Sequence, residues 1–143
     1  MRDVVAELGP TRLGHGVRAS EDPALLDEVV AAGISLEVCP ASNVSLGVYR
    51  RAADVPLALL LEHGAQVALG ADDPLLFRSR LTDQYAIARS LGLDDAALAA
   101  LARGSIRACL ASPASKRRWL AEIDAWLAGP ADQETVVPVS SGS

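Results

Sequence analysis

Short apolar runs alternate with amphipathic stretches along this chain, and turn residues separate them. Arg2 to Leu8 carries apolar positions at helical spacing and stops at Gly9-Pro10, which predicts a short helix. Thr11 to Val17 reads as a strand. Ser20-Glu21-Asp22-Pro23 opens a helix, with Ser20 the expected cap, that runs through Leu25, Leu26, Val29 and Val30 to Gly33. Ile34 to Cys39 predicts a second strand, ended by Pro40, and Ala41 to Val48 a loop holding the polar Ser42 and Asn43. A helix is expected from Pro56 to Glu62, a third strand from Gln66 to Gly70, and a helix from Phe77 to Leu91. Asp94 starts another helix through Leu98, Leu101, Ile106 and Leu110, and Ser115 to Leu127 predicts a last one. Pro130 to Ser143 mixes Pro, Ser, Gly and Val without periodicity and is expected to be a disordered tail.

The order is βαβαβα, which predicts an α/β fold of parallel strands with crossover helices. The strands read as apolar on both faces, as strands of a covered parallel sheet do. A polar surprise stands at the end of each: His15, then Ser42 and Asn43, then Asp72 and Asp73. Sites in α/β barrels and open α/β sheets are built at the carboxyl ends of the strands. Three strands are too few to close a barrel, which takes eight.

Composition narrows the picture. The chain has 143 residues, half of them hydrophobic, enough for one modest domain with a core. No apolar run approaches the roughly 18 residues that span a bilayer. The formal net charge is −5, which excludes broad nucleic-acid binding, and the basic Lys116-Arg117-Arg118 cluster reads as a solvated helix face. Cys39 and Cys109 lie far apart inside apolar segments, so free thiols are expected rather than a disulfide. Free thiols and an amphipathic rather than leader-like start point to the cytoplasm as the expected compartment.

The stretch Gln66 to Pro74 carries the strongest chemical signal. An apolar run ends in two adjacent carboxylates, Asp72 and Asp73, and then Pro74. Adjacent acids repel, so the pair makes sense opposite a cation or a hydrogen-bond donor. A helix cap with Pro74 at the first helical position explains the same residues. Glu37, inside an apolar strand, needs a partner, and either His15 or Arg12 could serve. His63, in Glu-His-Gly, reads as the end of a helix.

Three segments in order resemble the adenosine deaminase family. Arg12-Leu13-Gly14-His15-Gly16 is similar to its strand-six motif. Leu36-Glu37-Val38-Cys39-Pro40-Ala41-Ser42-Asn43 is similar to that of strand seven, and Asp72-Asp73-Pro74-Leu75-Leu76-Phe77 to that of strand eight. Asp83-Gln84-Tyr85 fits as well. The resemblance implies the C-terminal part of a (β/α)₈ barrel, strands six to eight with their helices, over residues 1–129. It implies a zinc hydrolase that converts adenosine and water to inosine and ammonia. In that scheme Asp72 is a zinc ligand, Asp73 hydrogen-bonds the purine N7, and His15 positions the attacking hydroxide.

The departures are large. The family's His-x-His pair, its later zinc-binding His and its His-Ala-Gly-Glu segment have no counterpart, since His15 and His63 are the two histidines. A catalytic zinc takes about three protein ligands. The chain is therefore expected to be part of a longer deaminase, with Met1 an internal or mis-assigned start. Alone it is expected to hold zinc weakly, to be inactive, and to self-associate through an exposed barrel edge. A non-catalytic remnant or binding module is the competing expectation. Aminodeoxyfutalosine and adenine stand beside adenosine as substrates.

Overall fold

A computed structural model describes residues 1–129; the expected tail, 130–143, lies outside the described residues. The chain begins with α1 (Arg2–Leu8) and β1 (Arg12–Leu13), then a 3₁₀ segment, Gly16–Glu21, and α2 (Pro23–Ala31). β2 (Ser35–Val38), α3 (Pro40–Ser45), α4 (Leu57–Glu62) and β3 (Val67–Leu69) follow. Three helices complete the described part: α5 (Leu81–Ser90), α6 (Asp95–Ala108) and α7 (Pro113–Ala128).

The three strands form one sheet in the order β1-β2-β3, and both pairings are parallel. Leu13 stands opposite Leu36, and Leu36, Glu37 and Val38 stand opposite Val67, Ala68 and Leu69. Side chains alternate across a strand, so Leu36, Val38, Val67 and Leu69 share one face. That face is the core. It packs with Val17, Leu25, Leu26 and Val29 and with Leu57 and Leu60, all buried. Glu37 and Ala68 take the opposite face, which carries the site.

α6 closes the far side. Leu98 and Leu101 enter the core, and Gly104 follows one turn on. A methyl group built on Gly104 would overlap the Val67 carbonyl oxygen. That oxygen points away from β2, because the neighbouring Gln66 carbonyl is the one that accepts from Leu36. The helix thus covers the free edge of β3, and the absent side chain lets it come that close.

Several boundaries differ from the sequence reading. The first strand is two residues, not seven: His15 sits in the left-handed region at φ 52, which turns the chain out of the ladder. Asp22, not Ser20, caps α2 by accepting from the Leu25 N–H at 3.1 Å, while Ser20 donates to the Val17 carbonyl. The expected loop after Pro40 is helical over Pro40–Ser45, with proline's fixed φ at the first position. The helix expected from Phe77 starts at Leu81; Arg78, at φ 49, lies in the break.

Candidate functional site

The carboxyl ends of the three strands converge on one cavity of about 420 Å³. Arg12 and His15 reach it from β1 and the turn beyond, Glu37 and Cys39 from β2, and Ala68 to Asp72 from β3 and its exit. Ser105, Ala108 and Cys109, at the end of α6, form the remaining wall.

His15 and Asp72 meet there. Nε2 of His15 lies 3.5 Å from Oδ2 of Asp72. Ser42, from the first turn of α3, donates its hydroxyl to that same Oδ2 at 2.6 Å. Oδ1 of Asp72 has no hydrogen-bond partner among the described residues. Both His15 and Asp72 hold positive φ, 52 and 58, so each stands on a turn that lifts its side chain off the regular ladder. Non-glycine residues in that region are uncommon and gather at functional sites.

The neighbouring charges have other duties. Glu37 pairs with Arg12 through both Nε and a terminal guanidinium nitrogen, so its partner is Arg12 rather than His15. Arg12 also donates to the Ala108 carbonyl at 3.4 Å. The Cys39 thiol is buried, and that burial, followed by the charge of Asp72, pushes its pKa above the ordinary thiol value. Cys109 is free too and donates to the Ile106 carbonyl. Neither cysteine has a disulfide partner among the described residues.

Asp73 is not among the residues lining the cavity. Its Oδ1 accepts from the Leu75 and Leu76 N–H groups at 2.9 and 2.8 Å, which caps the turn that Pro74 begins. His63 ends α4, 3.9 Å from Asp27 and away from the cavity. The sequence did not place α6 at the site, because nothing near Ser105 or Cys109 marks it. It placed Ser42 in a loop, although the hydroxyl touches the central carboxylate.

The donors fit a zinc ion in kind: a carboxylate oxygen free to bind, with an imidazole beside it. They do not fit it in number. Among the described residues no three His, Cys, Asp or Glu side chains stand together as a metal site. Asp72 is thus one metal donor at the cavity, with His15 beside it, short of a full zinc shell.

Comparison with known proteins matches the adenosine deaminase family profile to residues 1–126. The chain belongs to the adenosine deaminase family. It is 54% identical over 128 residues to a Streptomyces coelicolor protein provisionally named adenosine/adenine deaminase, covering 89% of this chain and 37% of the relative. It is 40% identical over 131 residues to the aminodeoxyfutalosine deaminase of Streptomyces avermitilis, covering 88% of this chain and 37% of that enzyme. The fold superposes on the adenine deaminase of Arthrobacter aurescens with a TM-score of 0.83 and 34% identity, over 88% of this chain and 39% of that one. A Burkholderia ambifaria amidohydrolase with bound zinc shares the fold at a TM-score of 0.76 and 20% identity, over 88% and 36% of the two chains. These neighbours are amidohydrolase and deaminase TIM-barrel proteins. The chain spans somewhat over a third of the length of the relatives it matches. No described helix is long and apolar enough to cross a membrane.

Proposed function

We propose that this chain contributes the carboxylate side of a zinc-dependent purine deaminase site, as strands six to eight of a (β/α)₈ barrel. The observation that carries the reading is the meeting of His15, Asp72 and Ser42 where three adjacent parallel strands end. Membership of a deaminase family supplies the reaction class. The reaction is hydrolytic: a water oxygen adds to purine C6, and the exocyclic amino group leaves as ammonia. Adenosine, adenine and aminodeoxyfutalosine are the candidate substrates.

The chemistry a bound zinc contributes is a water acidified to a pKa of about 7. The protein's own residues have separable tasks. Asp72 offers Oδ1 as a metal ligand while Oδ2 stays tied to Ser42 and beside His15. The His15 imidazole holds the attacking water in line and stabilises charge as the water adds. Asp73 spends Oδ1 on its turn, which leaves Oδ2 for the hydrogen bond with the purine N7. Further metal ligands, and an acid that protonates the purine ring at N1, come in this reading from polypeptide beyond these residues.

The test compares the 143-residue chain with a chimera in which these residues replace the matching segment of the Streptomyces coelicolor relative. The chain alone, with zinc added, should deaminate none of the three substrates above background. The chimera should turn over at least one of them, and Asp72→Ala should remove its zinc and its turnover together. A chimera that folds and binds zinc equally well without Asp72 would reject the site assignment. Turnover by the isolated chain, lost on Asp72→Ala, would instead show that these residues assemble a complete site.

A further inference from the structure

The contact between Ser42 and Asp72 has a role in the site beyond satisfying a buried hydroxyl. Asp72 sits on an irregular turn at φ 58, with its side chain about a quarter exposed. A carboxylate so placed has no helix or strand to fix its χ1, and ordering it when a ligand arrives costs side-chain entropy. Ser42 is its opposite: fully buried and set in the first turn of α3. Its O–H···O distance of 2.6 Å falls in the short, charge-assisted range, and the hydroxyl must donate because an ionised carboxylate only accepts.

Ser42 is itself held from outside. The Ala41 N–H beside it, one of the unpaired donors of α3's first turn, donates to Oε1 of Gln84 at 3.0 Å. Gln84 is fully buried on α5, where its amide nitrogen donates to the Ser79 hydroxyl at 2.7 Å and the Arg80 carbonyl at 3.3 Å. A run of hydrogen bonds therefore links α5 to α3 and ends on Oδ2 of Asp72.

We propose that Ser42 is a positioning residue that locks the Asp72 carboxylate in one rotamer and leaves Oδ1 as the oxygen that meets an incoming cation. The cation part rests on the reading of Asp72 as a zinc ligand. The rotamer part does not. Outer partners of metal ligands commonly set affinity by roughly 10–100-fold.

The experiment uses the 143-residue chain, Ser42→Ala and Asp72→Ala. Three-bond couplings to the Asp72 carboxyl carbon report its χ1, and Zn²⁺ titration followed by carbon and imidazole shifts reports binding. Ser42→Ala should leave the melting transition and the shifts of the core leucines in place. Its Asp72 couplings should collapse from single-rotamer to averaged values, and Zn²⁺ should bind about tenfold more weakly. Unchanged Asp72 couplings in Ser42→Ala overturn the proposal, whatever the metal does. Zn²⁺ shifts that persist in Asp72→Ala would overturn the ligand reading alone, and the coupling result would still decide the role of Ser42.

Discussion

At the scale of single residues, the competition is over what each polar atom is free to do. Asp73 uses one oxygen to cap a turn, and Asp72 uses one to accept from Ser42, with His15 beside it. Adjacent carboxylates thus survive because each is half engaged. The sequence made both duties visible but not their division, since a capping aspartate and a site aspartate look alike in one dimension. Glu37 shows the same limit: its need for a partner was readable, and the choice of Arg12 was settled by register, Arg12 lying beside Ser35 and thus next to Glu37 across the sheet. Gly104 gives a residue-scale prediction with a decisive sign. In an open helix, alanine would stabilise by about 1 kcal/mol over glycine. Against the Val67 carbonyl the added methyl has no room, and such overpacking costs about 1–3 kcal/mol. Gly104→Ala should therefore lower the unfolding free energy in urea, and a rise would show that α6 does not lie on the edge of β3.

At the scale of elements, the strands and the longer helices were legible because their apolar spacing is set by the core they face. α6 is the clearest case: Asp94 caps it as expected, accepting from the Ala97 N–H at 2.8 Å, and Leu98 and Leu101 point inward. α3 was illegible for a definable reason. It has no side-chain cap of its own, and the acceptor for its Ala41 N–H comes from Gln84, 43 positions along the chain. The first strand was overread because Gly14-His15-Gly16 carries no local sign that His15 turns left-handed. α1 and α2 are joined by charge: Arg2 reaches Asp22 at 2.7 Å and pairs with Glu28. The Arg2 hydrogen bond, and then the Leu25 N–H, hold the Asp22 carboxyl below its usual pKa. A carboxyl whose pKa is lower folded than unfolded stabilises the fold above the unfolded value, about 3.9, and that contribution fades as pH falls through the folded value. Asp22→Asn keeps a capping oxygen but loses this term. The variant should melt below the parent at neutral pH, and the gap should close under acid; melting curves across that range check it. A gap independent of pH would assign the loss to packing.

At the scale of the whole molecule, the described surface leaves several large apolar side chains open to solvent. Leu110 is 94% exposed, and Leu8, Leu75 and Leu76 are open as well. A groove of about 910 Å³ runs between α5, α6 and α7, lined by Tyr85, Leu98, Ile106, Trp119 and Ile123, with Trp126 53% exposed at its margin. At the other end of the sheet, the outer edge of β1 pairs with no strand among the described residues. Contiguous apolar patches beyond a few hundred Å² mark surfaces that bind something, and open strand edges invite pairing. The relatives are more than twice as long and have further polypeptide available to cover such surfaces, whereas in solution this chain has only copies of itself. The expected outcome is concentration-dependent association in sedimentation velocity. Trp126→Lys should weaken it, because a charge in that groove has to be desolvated for a second copy to seat. Salt should strengthen it, since a chain of net charge −5 repels its copies until the charge is screened. A single monomeric boundary at every concentration, together with a sharp cooperative melt, would show that the elements of the described residues already make a closed folding unit.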